Sequence, residues 1–159
     1  MPSFAGIDHL SLSVTQLDRS ERFYTDVLGL MPLLDFGTAR TLIDRPSGFI
    51  LALVKHEAGT TEPFTELTTG LDHIGLTAAS RGELVEWERR FDAYGVPYTP
   101  IRDMEFGSHL NFRDPDNIAL EFSVSNEVMA GWLEELRTRE MSQAEIKSRV
   151  EEYFASLQA

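Results

Sequence analysis

Residues 7–14 alternate strictly. Ile7, His9, Ser11 and Ser13 fall on one side, and Asp8, Leu10, Leu12 and Val14 on the other. A period of two is the mark of a half-buried strand. The period then lengthens, and Leu17, Phe23, Val27 and Leu28 predict a helix over 17–28 that Gly29 ends. Strands follow over 31–37, 40–44 and 48–56, broken by Gly37 and by Pro46-Ser47-Gly48. After a polar stretch with Pro63, the same order begins again. A strand over 71–78 leads to a helix whose start carries Ser80 and Glu83 in capping-box spacing. Leu84, Trp87 and Phe91 form its apolar stripe, Gly95 its stop. Strands over 97–101, 107–113 and 117–124 complete the unit. Asp114-Pro115-Asp116-Asn117 reads as a hairpin turn, because proline fixes one dihedral and asparagine tolerates positive φ. Beyond 125 the pattern is helical only. Asn126 caps a helix carrying Val128, Met129, Trp132, Leu133 and Leu136. Ser142, with Glu145, caps another carrying Ile146, Val150, Tyr153, Phe154 and Leu157.

The repeat is also literal. Gly6-Ile7-Asp8-His9-Leu10 returns 64 residues later as Gly70-Leu71-Asp72-His73-Ile74. This divides the chain into a first βαβββ module at 5–56, a linker at 57–69, a second βαβββ module at 70–124 and a helical extension at 126–159. The extension is expected to cover a sheet surface or a subunit contact. The fold class is α+β.

Composition narrows the functional classes. A net charge of −12 argues against nucleic acid, whose affinity rests on basic side chains, and against anionic membranes. No apolar run reaches the length of a membrane span, and no secretory leader pattern opens the chain, so the cytoplasm is the expected location. The chain has no cysteine, which removes disulfides, thiolate ligands and a thiol nucleophile.

A histidine repeated at the start of two copies of one unit is hard to explain by packing. On the first strand, His9 lies opposite Leu10, Leu12 and Val14, on the face of Ser11 and Ser13. On the strand at 71–78, His73 lies opposite Ile74 and Leu76, on the face of Thr77. On the last strand, Glu121 lies opposite Ile118, Leu120, Phe122 and Val124. Both imidazoles and one carboxylate therefore occupy the face turned away from the helices. If that face curls into a trough, His9, His73 and Glu121 make a 2-His-1-carboxylate metal site. Such a donor set suits Fe(II), and also accepts Mn, Zn, Ni or Co. Its vacant positions take a substrate through one or two oxygens, which the ion polarises. His109 and His56 are candidate acid–base groups. Ser11, Ala52, Thr77 and Asn111 are candidate substrate-facing positions. Asp8 and Asp72 fall on the helix side, where capping or hydrogen bonding is their expected role.

Four stretches carry a resemblance: Asp8-His9-Leu10-Ser11-Leu12-Ser13-Val14; Ser20-Glu21-Arg22-Phe23-Tyr24-Thr25-Asp26-Val27-Leu28-Gly29-Leu30; Leu71-Asp72-His73-Ile74-Gly75-Leu76; and Phe112-Arg113-Asp114-Pro115-Asp116-Asn117-Ile118-Ala119-Leu120-Glu121-Phe122. Over roughly residues 5–124 the chain resembles the vicinal oxygen chelate superfamily, which holds glyoxalase I, extradiol dioxygenases, fosfomycin-resistance enzymes and bleomycin-binding proteins. The resemblance implies paired modules forming an open eight-stranded trough around a divalent metal, with His9, His73 and Glu121 at the ligand positions. Ala52 stands where glyoxalase I-like members carry a fourth ligand, a glutamate. Three ligands without the fourth look more like the dioxygenase and fosfomycin branches. Asn111 stands where both of those have a tyrosine, and Phe49 where the dioxygenases have a catalytic histidine. The resemblance therefore implies a metal-dependent enzyme acting on a small molecule held through adjacent oxygens, closer to a dioxygenase than to a glyoxalase-type lyase. Its alternative is a metal-free drug-sequestering protein of the bleomycin-resistance type. A homodimer is expected, because the family often pairs modules across chains.

Overall fold

The computed structural model describes residues 6–157. Ala5, where the first module was expected to begin, and the last two positions of the helical extension lie outside the described residues. Each half forms its own four-stranded mixed sheet. The first contains β1 (His9–Ser13), β2 (Met31–Asp35), β3 (Ala39–Ile43) and β4 (Ile50–Val54), in the order β1-β4-β3-β2. The second contains β5 (Ile74–Thr77), β6 (Arg102–Met104), β7 (Gly107–Arg113) and β8 (Ala119–Ser125), in the order β5-β8-β7-β6. In each, the first strand runs parallel to the last and the other pairs are antiparallel. The duplicated sequence thus produces a duplicated topology, with a helix crossing between the first strand and the rest.

The first crossover, α1 (Leu17–Arg22), widens into a π-helical turn at Phe23–Val27, where Leu28 N–H reaches back to Phe23 O at 3.3 Å. Widening lets both Phe23 and Tyr24 point into the core, their rings edge-to-face at 5.1 Å. The second crossover, α2 (Arg81–Tyr94), begins where Ser80 Oγ accepts from Glu83 N–H at 3.1 Å. It ends at Gly95, whose φ of 66° lets Val96 N–H bond to Phe91 O. Asn117, at φ 65°, takes the left-handed position expected of it in the β7–β8 turn.

One core joins both halves. Leu12, Leu42, Leu51 and Leu53 come from the first sheet, Leu110, Phe112, Leu120 and Phe122 from the second, and Phe23, Leu84 and Phe91 from the crossovers. Phe112 lies between Phe91, at 4.6 Å, and Phe122, at 5.1 Å, with Trp87 stacked on Phe122 at 4.4 Å. The halves therefore meet through their helix sides. Tyr24 Oη donates to Asp114 Oδ2 at 3.0 Å. Asp116 accepts from Thr15 N–H at 2.9 Å, from the Thr15 hydroxyl at 2.5 Å and from the Arg19 guanidinium. Arg90 of α2 caps the carbonyls of Asp26 and Val27, each at 2.6 Å.

Two strand expectations shift. The segment 97–101 is not a strand: Tyr98 makes a single bridge to Phe112, and the edge strand forms at Arg102–Met104. The strand expected over 71–78 begins at Ile74, so His73 immediately precedes it.

Past Ser125, α3 (Glu127–Thr138) and α4 (Gln143–Ser156) start at Asn126 and Ser142, whose side chains accept from Met129 and Glu145 N–H. They grip the β6–β7 turn. Phe106 stacks on Tyr153 at 5.2 Å, meets Phe154 edge-on at 5.4 Å and lies 6.0 Å from Trp132. The Glu105 carbonyl accepts from Tyr153 Oη and from Asn126 Nδ2, the latter at 2.7 Å.

Candidate functional site

Strand parity puts the candidate groups that lie within strands on the faces turned away from the helices. On β1, Leu12 is buried while His9, Ser11 and Ser13 are exposed. Register extends this face across the first sheet. His9 is followed by Ile50, Ile43 and Met31, and Ser11 by Ala52, Thr41 and Leu34. A bulge between Pro32 and Leu34 inserts a residue, so Met31 and Leu34 share this face although three positions apart. On the second sheet, Gly75 pairs with Glu121 and Glu121 with Asn111. Thr77 pairs with Ser123, Ser123 with His109, and His109 with Arg102. His73, two residues before Gly75, therefore lies on the Glu121 face.

Each repeated histidine is held by the aspartate before it. His9 Nδ1 lies 2.8 Å from Asp8 Oδ2, and His73 Nδ1 lies 2.6 Å from Asp72 Oδ1. Capping or hydrogen bonding was the expected role for these aspartates, and both hydrogen-bond to an imidazole. A carboxylate on Nδ1 makes that nitrogen the donor, so in the neutral imidazole the lone pair is on Nε2. This is the arrangement in which a histidine ligates a metal, and the chain makes it twice.

Glu121, its side chain 15% exposed, has His109 as neighbour, with Nδ1 2.9 Å from Oε1. The contact is close, but its direction is not that of a hydrogen bond. At the rim of the same face, Arg113 forks onto Glu66 at 2.7 and 3.0 Å. Those hydrogen bonds hold the Glu66 carboxyl down at about 2. On the opposite face of β6, Asp103 takes both arms of Arg81 and the Ser108 hydroxyl.

His9, His73 and Glu121 are not brought to a common point within one chain. Among the described residues, no three acidic or histidine side chains gather where an ion would sit. The reason lies in how the halves pack. Their helix sides are joined, so their two open faces belong to separate sheets. His56 lies two residues beyond β4, exposed at the start of the connector, where the strand has ended and its alternation no longer aims a side chain at this face. Ala52 and Thr41 stand side by side next to Ser11, and the buried Thr41 Oγ1 has no hydrogen-bond partner. Arg102 and Thr41 are among the polar groups on these faces that periodicity did not single out. The cross-strand register identifies both.

Residues 6–122 match the family model for the Glyoxalase/Bleomycin resistance protein/Dioxygenase superfamily. A glyoxylase/bleomycin resistance protein/dioxygenase domain from Frankia sp. EAN1pec is 36% identical, with TM-score 0.73, over 79% of this chain and 95% of that one. FosX, a fosfomycin resistance protein from Listeria monocytogenes, solved as a glutamate-to-glutamine mutant with Mn(II) and 1S,2S-dihydroxypropylphosphonic acid, shares the fold. Its TM-score is 0.64 at 20% identity, over 80% of this chain and 95% of that one. An integron cassette protein from the metagenome of the Halifax Harbour sewage outfall shares it too, with TM-score 0.62 at 22% identity, over 76% and 99% of the two chains. Among the described residues, no helix is long and apolar enough to cross a membrane. With the duplicated topology and the family match over most of its length, the chain belongs to the Glyoxalase/Bleomycin resistance protein/Dioxygenase superfamily.

Proposed function

We propose that this chain is a divalent-metal-dependent enzyme acting on a small molecule bound through vicinal oxygens, and that its site is completed between two copies of the chain. His73 and Glu121 of one copy and His9 of the other are the ligands. The observation that carries the reading is the pair of aspartate-held histidines, Asp8–His9 and Asp72–His73, each with Nε2 left for a ligand. The donors fit a divalent ion of the Fe(II), Mn, Zn, Ni or Co group. When bound, it supplies Lewis acidity to the substrate's oxygens. His109 is the acid–base group. Asn111, Ser11, Ala52 and Thr77 line the substrate space. His56, in its exposed turn, has no part in this reading. Mn(II) in FosX is a precedent within the fold.

In this reading a second copy supplies His9, since His9 and Glu121 belong to different sheets of one chain and no three such donors gather among the described residues. Exposure supports this. Met31 (43%) and Leu34 (54%) lie on the His9 face, and Met104 (55%) on the Glu121 face, apolar surface that a second copy would cover.

Subunit complementation tests the reading. His9→Ala and His73→Ala are each expected to abolish Mn(II) binding. Coexpressed, they form mixed dimers in which the His73→Ala chain lends its intact His9 to the His73 and Glu121 of the other. About a quarter of the wild-type sites should return if the chains assort at random. No recovery in verified mixed dimers removes the shared site. Failure of wild-type protein to bind Mn(II), Fe(II), Zn, Ni or Co removes the metal-dependent reading. With Fe(II) loaded anaerobically, O2 uptake with a catechol supports ring cleavage over a lyase.

A further inference from the structure

We infer that Arg102 is the anion-recognising residue of this site, and that the substrate carries a carboxylate or phosphonate apart from its chelating oxygens. The inference rests on the proposed metal site for the position of those oxygens.

Arg102 is the direct cross-strand partner of His109, and His109 of Ser123. Directly opposed residues of an antiparallel pair project from the same face. Arg102 therefore shares the face of His109, Asn111 and Glu121. The next residue agrees with this direction. Asp103 turns to the helix side, where Arg81 of α2 and Ser108 hold it. Two strand spacings, about 10 Å, separate the β6 and β8 backbones, and an extended guanidinium reaches into that gap.

Charge and position together single the residue out: Arg22, Arg45, Lys55 and Arg90 also make no ion pair among the described residues, but all four lie outside the strands. Arg81 is neutralised by Asp103, Arg113 by Glu66, Arg19 by Asp116, and Arg40 by Asp18, Glu21 and Asp35. Arg102 has no ion-pair partner among the described residues, in a chain whose net charge is −12. An unneutralised guanidinium beside an apolar Met104 and a histidine offers a planar fork of donors, which matches a carboxylate or phosphonate better than any neutral group.

The backbone beneath it is fixed. Asp103 pins β6 from one side, and α3 and α4 clamp the following turn through Phe106 and the Glu105 carbonyl. The helical extension lies beyond the residues that the family model matches. Its contacts give it a role in holding the strand that carries Arg102, so the cation is presented without ordering its own strand on binding.

The test uses full-length, Mn(II)-loaded protein. Isothermal titration compares protocatechuate, its neutral amide and its phosphonate analogue, which share the same vicinal hydroxyls. Wild type is expected to bind at least one of the two anions tenfold or more above the amide. The tighter of the two identifies the anion. Arg102→Ala should bring all three within about twofold, while Arg102→Lys retains part of the preference as a point charge. Mn(II) affinity, read separately by electron paramagnetic resonance, should be unchanged in both variants. A preference that survives Arg102→Ala with Mn(II) binding intact overturns the inference. If wild type takes up no Mn(II), the metal reading is what fails. The same titrations are then read on metal-free protein, where the absence of an Arg102-dependent difference overturns the anion role as well.

Discussion

The hydroxyl of Tyr24 donates to Asp114 Oδ2 at 3.0 Å, joining residues 90 positions apart, both buried. Tyr24 sits in the π-helical turn of the first half and Asp114 opens the β7–β8 turn of the second. Removing the hydroxyl strands one oxygen of a buried carboxyl. Tyr24→Phe is expected to cost about 1–3 kcal/mol of stability, the penalty for an unsatisfied buried acceptor. Urea denaturation checks it, and a loss under about half a kcal/mol would remove this contact from the forces joining the halves.

Asp114 also makes stability depend on pH. Burial pushes its carboxyl up from 3.8 to about 6, against the lowering effect of hydrogen bonds from Ile118 N–H, Tyr24 and Asp116 N–H. The folded protein then keeps a proton that the unfolded chain releases. The stability tied to that proton is fully present below about pH 4 and is lost as pH rises to about 6, on the order of 2–3 kcal/mol. Asp114→Asn cannot titrate. Wild type should therefore gain on this variant as pH falls from 7 to 4.5, measured as a difference of thermal midpoints. A difference independent of pH contradicts the assignment.

Asp8 and Asp72 fix their histidines without touching the proposed ion. Asp72→Asn and Asp8→Asn should each weaken Mn(II) binding by about ten- to a hundredfold, with unchanged circular dichroism. Mn(II) titration followed by electron paramagnetic resonance gives the affinity. Wild-type affinity in both variants would reduce the aspartates to surface groups.

The Phe106 cluster ties α3 and α4 to the β6–β7 turn. Phe106→Ala takes away three aromatic neighbours and should cost about 2 kcal/mol, less than a fully buried phenylalanine because the ring is half-buried. Amide exchange should speed up over Arg102–Met104 and over both helices, but not in β1. Uniform acceleration would mean that the extension is part of the global fold and not a local clamp.

The strands and the site face were legible because both obey local rules. Period-two alternation puts Leu12 and Phe122 inside, and His9 and Glu121 on the opposite faces. What failed locally was β6. The segment from Val96 to Ile101 carries the apolar residues, yet Tyr98 and Ile101 pack against the core from an irregular stretch, while the polar Arg102 and Asp103 pair with β7. Parity did not reveal that the hydrogen bonds of Asp8 and Asp72 go to the adjacent histidines. Both aspartates precede the first paired residue of their strands, where a side chain is free to turn toward its neighbour. The separation of His9 from His73 and Glu121 was beyond any local rule. It follows from contacts such as Tyr24–Asp114 and Thr15–Asp116, whose partners lie 90 and 101 positions apart.

The turn at Asp114–Asn117 corresponds to the β3–β4 turn of the first half, which also opens on an aspartate and closes with the same kind of backbone bonds. There the Asp44 carboxylate accepts from Ser47, its own near neighbour, and among the described residues makes no bond to the other half. Divergence after duplication has thus been unequal. Chimeras that exchange one half with a relative should fold only when Thr15, Arg19, Ser20 and Tyr24 come from the same parent as Asp114 and Asp116, whatever the rest of either sheet contributes.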